Sequence, residues 1–168
     1  MKLIIPFVET MAIQSCNLSC VGCTNYSDLI HKGYVSWNSI ENDLKEWLEV
    51  IDIEDFGIMG GEPLLNPEIE QWIIGIRKLL PNSRIRFTTN GLKLHKNFHL
   101  VDLMHKLGNF SFKITAHKNT TELQKTIEKI LKSYDWKPVA EFGIDRLITT
   151  NDFRFHVKSP STFYKTFK

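Results

Sequence analysis

The sequence predicts an α/β protein, either a parallel sheet or an open barrel of βα units, on three observations. Short apolar strands alternate with segments whose apolar residues recur at helical spacing. After the first strand these units repeat about every 30 residues, the length of one βαβ step. Three unusual loops follow three successive strands: the segment Cys16 to Cys23, then Gly60-Gly61-Glu62-Pro63, then Thr89-Asn90-Gly91. Right-handed crossovers place such loops on one face, beyond the carboxyl ends of the strands, where ligands gather in folds of this kind.

Phe7 to Ile13 reads as the first strand, and the cysteine segment follows it directly. Ile40, Leu44, Trp47, Leu48 and Ile51 then recur at helical spacing, with Ser36 or Asn38 as N-cap and Trp47 on the buried stripe. Phe56 to Met59 is a short apolar strand ending in the glycine pair. Asn66-Pro67 opens the next helix as N-cap and first helical residue, and Ile69, Trp72, Ile73, Ile76 and Leu80 form its buried stripe. Arg84 to Thr89 is the third strand.

A helix carrying Leu100, Leu103, Met104 and Leu107 stops at Gly108, a residue suited to a left-handed C-cap. Phe110 to Thr115 is the fourth strand. Leu123, Ile127, Ile130, Leu131 and Tyr134 mark the fourth helix, introduced by Asn119 or Thr120, with its Lys and Glu residues as a solvated face. From Gly143 onward the pattern weakens. Arg146 to Thr150 and Phe153 to Val157 read as strands about a turn at Asn151-Asp152, and the tail as the start of another helix. Phe153, Arg154 and His156 fit either the lining of the open end or an edge strand.

A chain of 168 residues is read as one domain over 1–168, with an irregular C-terminal part at 139–168. Its net charge of +2, without a basic run, argues for neither nucleic acid nor a membrane surface as partner. The stretch Met1 to Ile13 is broken by Pro6 and Glu9, is too short to span a bilayer, and lacks the layout of a secretory signal. The three cysteines are spaced for a metal and not for a disulfide framework, which fits a reducing compartment. The expected location is cytoplasmic.

Cys16, Cys20 and Cys23 lie within eight residues, so three thiolates can wrap one inorganic cluster. A cubane of four irons needs four ligands, which leaves one iron for a group the protein does not supply. The competing readings are a zinc knot with His31 as fourth ligand, and a redox dithiol from Cys20 and Cys23. Zinc sites favour paired C-x2-C spacings, and a dithiol would leave the third cysteine idle. Gly60-Gly61-Glu62-Pro63 alone also reads as a strand-to-helix turn, and Thr89-Asn90-Gly91 as an Asn-Gly turn. Thr115 reads equally as a β-branched strand residue, and His95, His99, His105 and His117 as surface or packing histidines. No Gly-x-Ser-x-Gly elbow, phosphate-binding Gly-x4-Gly-Lys-Ser/Thr loop or Gly-x-Gly-x-x-Gly dinucleotide turn is present.

Cys16-x3-Cys20-x2-Cys23 after a first strand, with Gly60-Gly61-Glu62-Pro63 after the second, resembles the radical S-adenosylmethionine (SAM) superfamily from about Phe7 to Thr115. The resemblance implies an open partial (β/α) barrel of parallel strands, here trimmed after the fourth or fifth βα unit or else given as a fragment. It implies that Cys16, Cys20 and Cys23 bind a [4Fe-4S] cluster and that SAM chelates the fourth iron. An oxidised core of about +2 with three thiolates carries about −1, which suits a sulfonium cation nearby. One electron would cleave SAM to methionine and a 5′-deoxyadenosyl radical that takes hydrogen from a substrate.

By the same resemblance Gly60, Gly61 and Glu62 hold the methionyl amino group and Pro63 stiffens the loop. Thr115 stands near the SAM carboxylate or ribose, His117 faces the same cavity, and Thr89 and Asn90 lie at the depth of substrate or SAM. Gly22 replaces the aromatic residue the family usually carries before the last cysteine, and no cysteine remains for an auxiliary cluster. An electron donor such as flavodoxin or ferredoxin is implied, with a small molecule or peptide as substrate. No catalytic residue beyond the cofactor ligands is singled out. The functions expected besides are a zinc-stabilised binding module without catalysis, and a cluster-binding member without turnover.

Overall fold

The computed structural model describes residues 1–20, 23–27, 32–115 and 120–134, with the strands at 137–141, 145–150 and 153–158 as backbone. The fold class is α/β with parallel strands, as expected. The chain falls into two compact units, Met1–Phe87 and Thr88–Lys168.

The first unit runs β1 (Leu3–Ile5), β2 (Val8–Ile13), α1 (Trp37–Trp47), β3 (Ile51–Ile53), β4 (Asp55–Gly60), a 3-10 turn (Pro63–Leu65), α2 (Ile69–Leu79) and β5 (Arg84–Thr89), whose last two residues fall in the second unit. β1 and β3 form a parallel pair with Leu3 opposite Ile51. β2 pairs parallel with β4, Val8 opposite Phe56, and slips register between Met11 and Ile13 so that Ile13 faces Gly60. β4 pairs parallel with β5, Asp55 opposite Arg84. Phe56, Ile58, Ile85 and Phe87 of the strands are fully buried, as are Trp72, Ile73 and Ile76 of α2, and Leu44 of α1 is nearly so. A core of this kind contributes about 1.5–3 kcal/mol per large apolar side chain removed from water.

Two helix boundaries differ from the sequence reading. Ser36 is the N-cap of α1, its hydroxyl accepting from the Ser39 N–H at 3.3 Å, but the helix stops at Trp47. Ile51 belongs to β3, so the apolar run after Trp47 is shared between a turn and a strand. Trp47 is accordingly 52% exposed and not part of the core. Trp37 takes that place, edge-on to Trp72 with ring centroids 6.2 Å apart. The first long strand begins at Val8, and β1 precedes it as an element the sequence reading lacked.

Asn66 does not cap α2, whose N-cap is Glu68 without a side-chain bond. Asn66 is buried, and its amide donates to the carbonyls of Ala12 (2.7 Å) and Val35 (3.2 Å), while its oxygen accepts from the Glu68 N–H at 2.8 Å. The side chain is spent on joining β2, the entry to α1 and the entry to α2. At the other end of α2 the buried Arg77 donates to the carbonyls of Leu80, Pro81 and Ser83 at 2.7–2.9 Å. Burial lowers its pKa from the ordinary arginine value.

The second unit runs through a 3-10 turn (Leu94–Lys96), α3 (Phe98–Leu107), β6 (Phe110–Thr115), α4 (Thr121–Ser133), β7 (Lys137–Glu141), β8 (Asp145–Thr150) and β9 (Phe153–Lys158). Gly108 ends α3 at φ +72° and ψ 163°, a positive φ that suits glycine but not the left-handed helical cap expected. Thr120 is the N-cap of α4, accepting from the Leu123 N–H at 3.1 Å. β6 and β9 are parallel, with Ser111 opposite Arg154. β8 is antiparallel to both β9 and β7, so the parallel rule gives way beyond α4. β9 has a partner on each side, which removes the edge-strand reading of Phe153, Arg154 and His156. The expected helix in the tail lies outside the described residues.

Candidate metal and cofactor site

The chain leaves β2 at Gln14 and returns beside itself at Gly33. The N–H groups of Gln14 and Ser15 donate to the Gly33 carbonyl at 2.9 and 3.4 Å, and Gly33 N–H donates to Ser15 Oγ at 3.0 Å. Val35 N–H then bonds to the Ala12 carbonyl at 3.0 Å. The cysteine segment is therefore a loop closed at its base, independent of any disulfide, and all three cysteines remain thiols.

The same base is bolted to the end of β4. Gly61 N–H donates to the Ile13 carbonyl at 2.8 Å and Glu62 N–H to the Ser15 carbonyl at 3.0 Å. A Cβ on Gly60, whose φ is +151°, would lie 2.2 Å from the Ile13 oxygen, and one on Gly61 would lie 2.2 Å from the Ser15 oxygen. The glycine pair is thus required by the backbone entering the cysteine loop, a reason the sequence reading did not contain. Asn25, two residues past Cys23, donates its amide to the Gly60 carbonyl at 2.6 Å and adds a third tie.

Within the loop, Leu18 N–H donates to Cys16 Sγ at 3.4 Å, and Cys23 N–H to the Cys20 carbonyl at 3.2 Å. Burial pushes the Cys16 thiol above its ordinary pKa. The Leu18 N–H pulls it back, and the negative charges of Glu62, Cys20 and Cys23 push it up further. The other two sulfurs and the Glu62 carboxylate are therefore within electrostatic reach of Cys16. Among the described residues no group of three or more His, Cys, Asp or Glu is gathered at metal-holding distance. The donor chemistry fits a thiophilic iron cluster all the same. Three soft ligands share one loop, and their mutual repulsion turns to attraction around a cationic core.

Glu62 is fully buried, and its carboxylate accepts from the Leu64 N–H at 3.1 Å, capping the 3-10 turn that Pro63 begins. Thr89 and Asn90 are buried at the end of β5, where Thr89 Oγ1 accepts from Gly91 N–H and Asn90 Oδ1 from Leu92 N–H, each at 3.0 Å. These bonds build the turn after β5. Thr115 ends β6 half-buried. His117, His31 and Gly22 lie outside the described residues. His95 faces Glu122 at 3.5 Å and the His105 ring packs on Tyr134, in keeping with surface and packing roles. The sequence reading missed Asn25 and Ser15, and took Asn66 for a helix cap. Their signal was faint, since each is a short polar residue beside a motif.

The crystal structure of BtrN in complex with AdoMet and 2-DOIA is similar in fold, with a TM-score of 0.56 and 20% identity over 71% of this chain. The likeness covers 49% of that protein, so the present chain spans about half the length of the structure it matches. No curated protein matches the sequence. The profile of the Radical SAM superfamily matches residues 12–151, from the end of β2 through β8. The chain belongs to the radical SAM superfamily. No helix among the described residues is long and apolar enough to cross a membrane.

Proposed function

We propose that the protein is a radical SAM enzyme in which Cys16, Cys20 and Cys23 hold a [4Fe-4S] cluster and the Gly60–Pro63 turn holds SAM. The observation that carries this reading is the joining of two motifs: the loop bearing all three cysteines closes on the glycine turn itself. When bound and reduced, the cluster supplies the electron that cleaves SAM to methionine and the hydrogen-abstracting 5′-deoxyadenosyl radical.

The chain's part is binding and orientation. The closed base presents the three thiols from one short loop, and the bonds from Gly61 and Glu62 keep the ligand turn in fixed relation to them. The buried Glu62 carboxylate places a negative charge beside that turn, which favours a bound ammonium group. By the family resemblance, Thr115 and His117 are proposed as further SAM-contacting residues. The substrate is a small molecule or peptide, the electron donor a flavodoxin- or ferredoxin-like protein, and the location cytoplasmic.

Anaerobic reconstitution tests the reading. About four irons per chain, a reduced EPR signal altered by SAM, and release of 5′-deoxyadenosine are the expected results. A colourless protein holding one zinc replaces this reading with a metal-stabilised module. A cluster without 5′-deoxyadenosine release leaves a binding protein without turnover.

A further inference from the structure

We infer that Asn25 is a positioning residue that couples the cysteine loop to the SAM-holding turn, by tying the segment after Cys23 to the Gly60 carbonyl. The inference rests on the proposed site but names a residue and a role beyond it. The entry of the cysteine loop is held by two main-chain bonds, from Gly61 to Ile13 and from Glu62 to Ser15. The segment leaving Cys23 has no comparable main-chain bond to this turn in the hydrogen bonds found among the described residues. Its tie is the Asn25 amide, at 2.6 Å from the Gly60 oxygen.

Cys23 is joined to this anchor through a short stretch of its own backbone, where Tyr26 N–H donates to the Cys23 carbonyl at 3.1 Å. Gly60 immediately precedes the two residues whose N–H groups grip the loop entry. Both ends of the ligand-bearing loop therefore close on three consecutive residues, Gly60, Gly61 and Glu62. Among the described residues, a shift of Cys23 is transmitted to that turn through one side chain, whereas a shift near Cys16 is resisted by the main chain. An amide is suited to the task because it donates to a carbonyl without adding charge beside the thiolates.

Two variants, Asn25→Leu and Asn25→Ala, remove the donor. The first readout needs no cluster: alkylation of the apoprotein by iodoacetamide, followed at each cysteine by mass spectrometry. Cys23 is expected to react about three- to tenfold faster in both variants, the scale of one lost hydrogen bond, with Cys16 unchanged as internal control. The second readout is the SAM titration of the reduced EPR signal, whose midpoint is expected to rise by a similar factor at wild-type iron content. Equal acceleration at all three cysteines marks general loosening and overturns the inference, as does wild-type behaviour in either readout. A wild-type protein that takes up no cluster sinks the underlying reading and this inference with it. A wild-type protein that loads and responds to SAM, beside variants that do the same, sinks this inference alone.

Discussion

A methyl group at Gly61 would lie 2.2 Å from the Ser15 carbonyl oxygen, and backbone on both sides leaves little room to yield. Gly61→Ala is therefore expected to cost about 3 kcal/mol or more, at the upper end of overpacking penalties. Urea unfolding of the apoprotein checks this, and a loss under about 1 kcal/mol would show that the turn can open. The expectation separates two uses of the glycine pair. If the glycines served only to admit a ligand, apoprotein stability would not change. The cysteines behave in the opposite way. None belongs to the buried core, so replacing Cys16, Cys20 or Cys23 with alanine is expected to leave urea unfolding within about 1 kcal/mol while abolishing cluster assembly. Iron analysis decides the point, and a variant with full iron and an unchanged spectrum removes that cysteine from the ligand set.

Among the elements, α1 and α2 meet where Gly75 admits the Trp37 ring, since a Cβ there would stand 2.0 Å from Cζ2 of that ring. Gly75→Ala should destabilise by about 2–3 kcal/mol, although alanine is the better helix former by about 1 kcal/mol. Trp37→Leu in the same chain is expected to recover part of that loss, a coupling that a double-mutant cycle measures. Additive losses would mean that the ring is not the obstacle. The strands β5 and β6 and the helix α4 were legible because their apolar periodicity and caps agree. The end of α1 was not. Leu48 and Ile51 continue the helical spacing arithmetically, yet the chain turns after Trp47 to start β3. Asn66 was misread for a related reason: Asn before Pro is a good N-cap locally, and only the tertiary fold brings the Ala12 and Val35 carbonyls to its amide. Asn66→Ala should cost about 1–3 kcal/mol, because three bonds are lost. The Ala12 and Val35 carbonyls keep their other donors, Val35 N–H and the Trp72 indole, but Glu68 N–H loses its side-chain acceptor. The same unfolding curves read it.

For the molecule as a whole, the decisive question is whether the metal holds the fold together or is held by it. The three cysteines and the glycine turn were legible because rare residues at fixed spacing survive any uncertainty about element boundaries. The ties that join them were not, because main-chain bonds from Gly61 and Glu62 leave no mark on composition. Those ties are intrinsic to the polypeptide, and the core of Phe56, Ile58, Trp72 and Ile85 is buried without help from the loop. A structural zinc module differs here, since its metal affinity is its folding free energy. Removal of iron by an anaerobic chelator is therefore expected to erase the chromophore and the SAM response. Far-ultraviolet circular dichroism should keep its shape, and the urea transition should remain cooperative with a slope near that of the loaded protein, because the surface exposed on unfolding is nearly the same. Collapse of the dichroism on chelation would show that the closed base of the cysteine loop is a consequence of metal binding. The joining of loop and turn would then cease to support a preformed cofactor site.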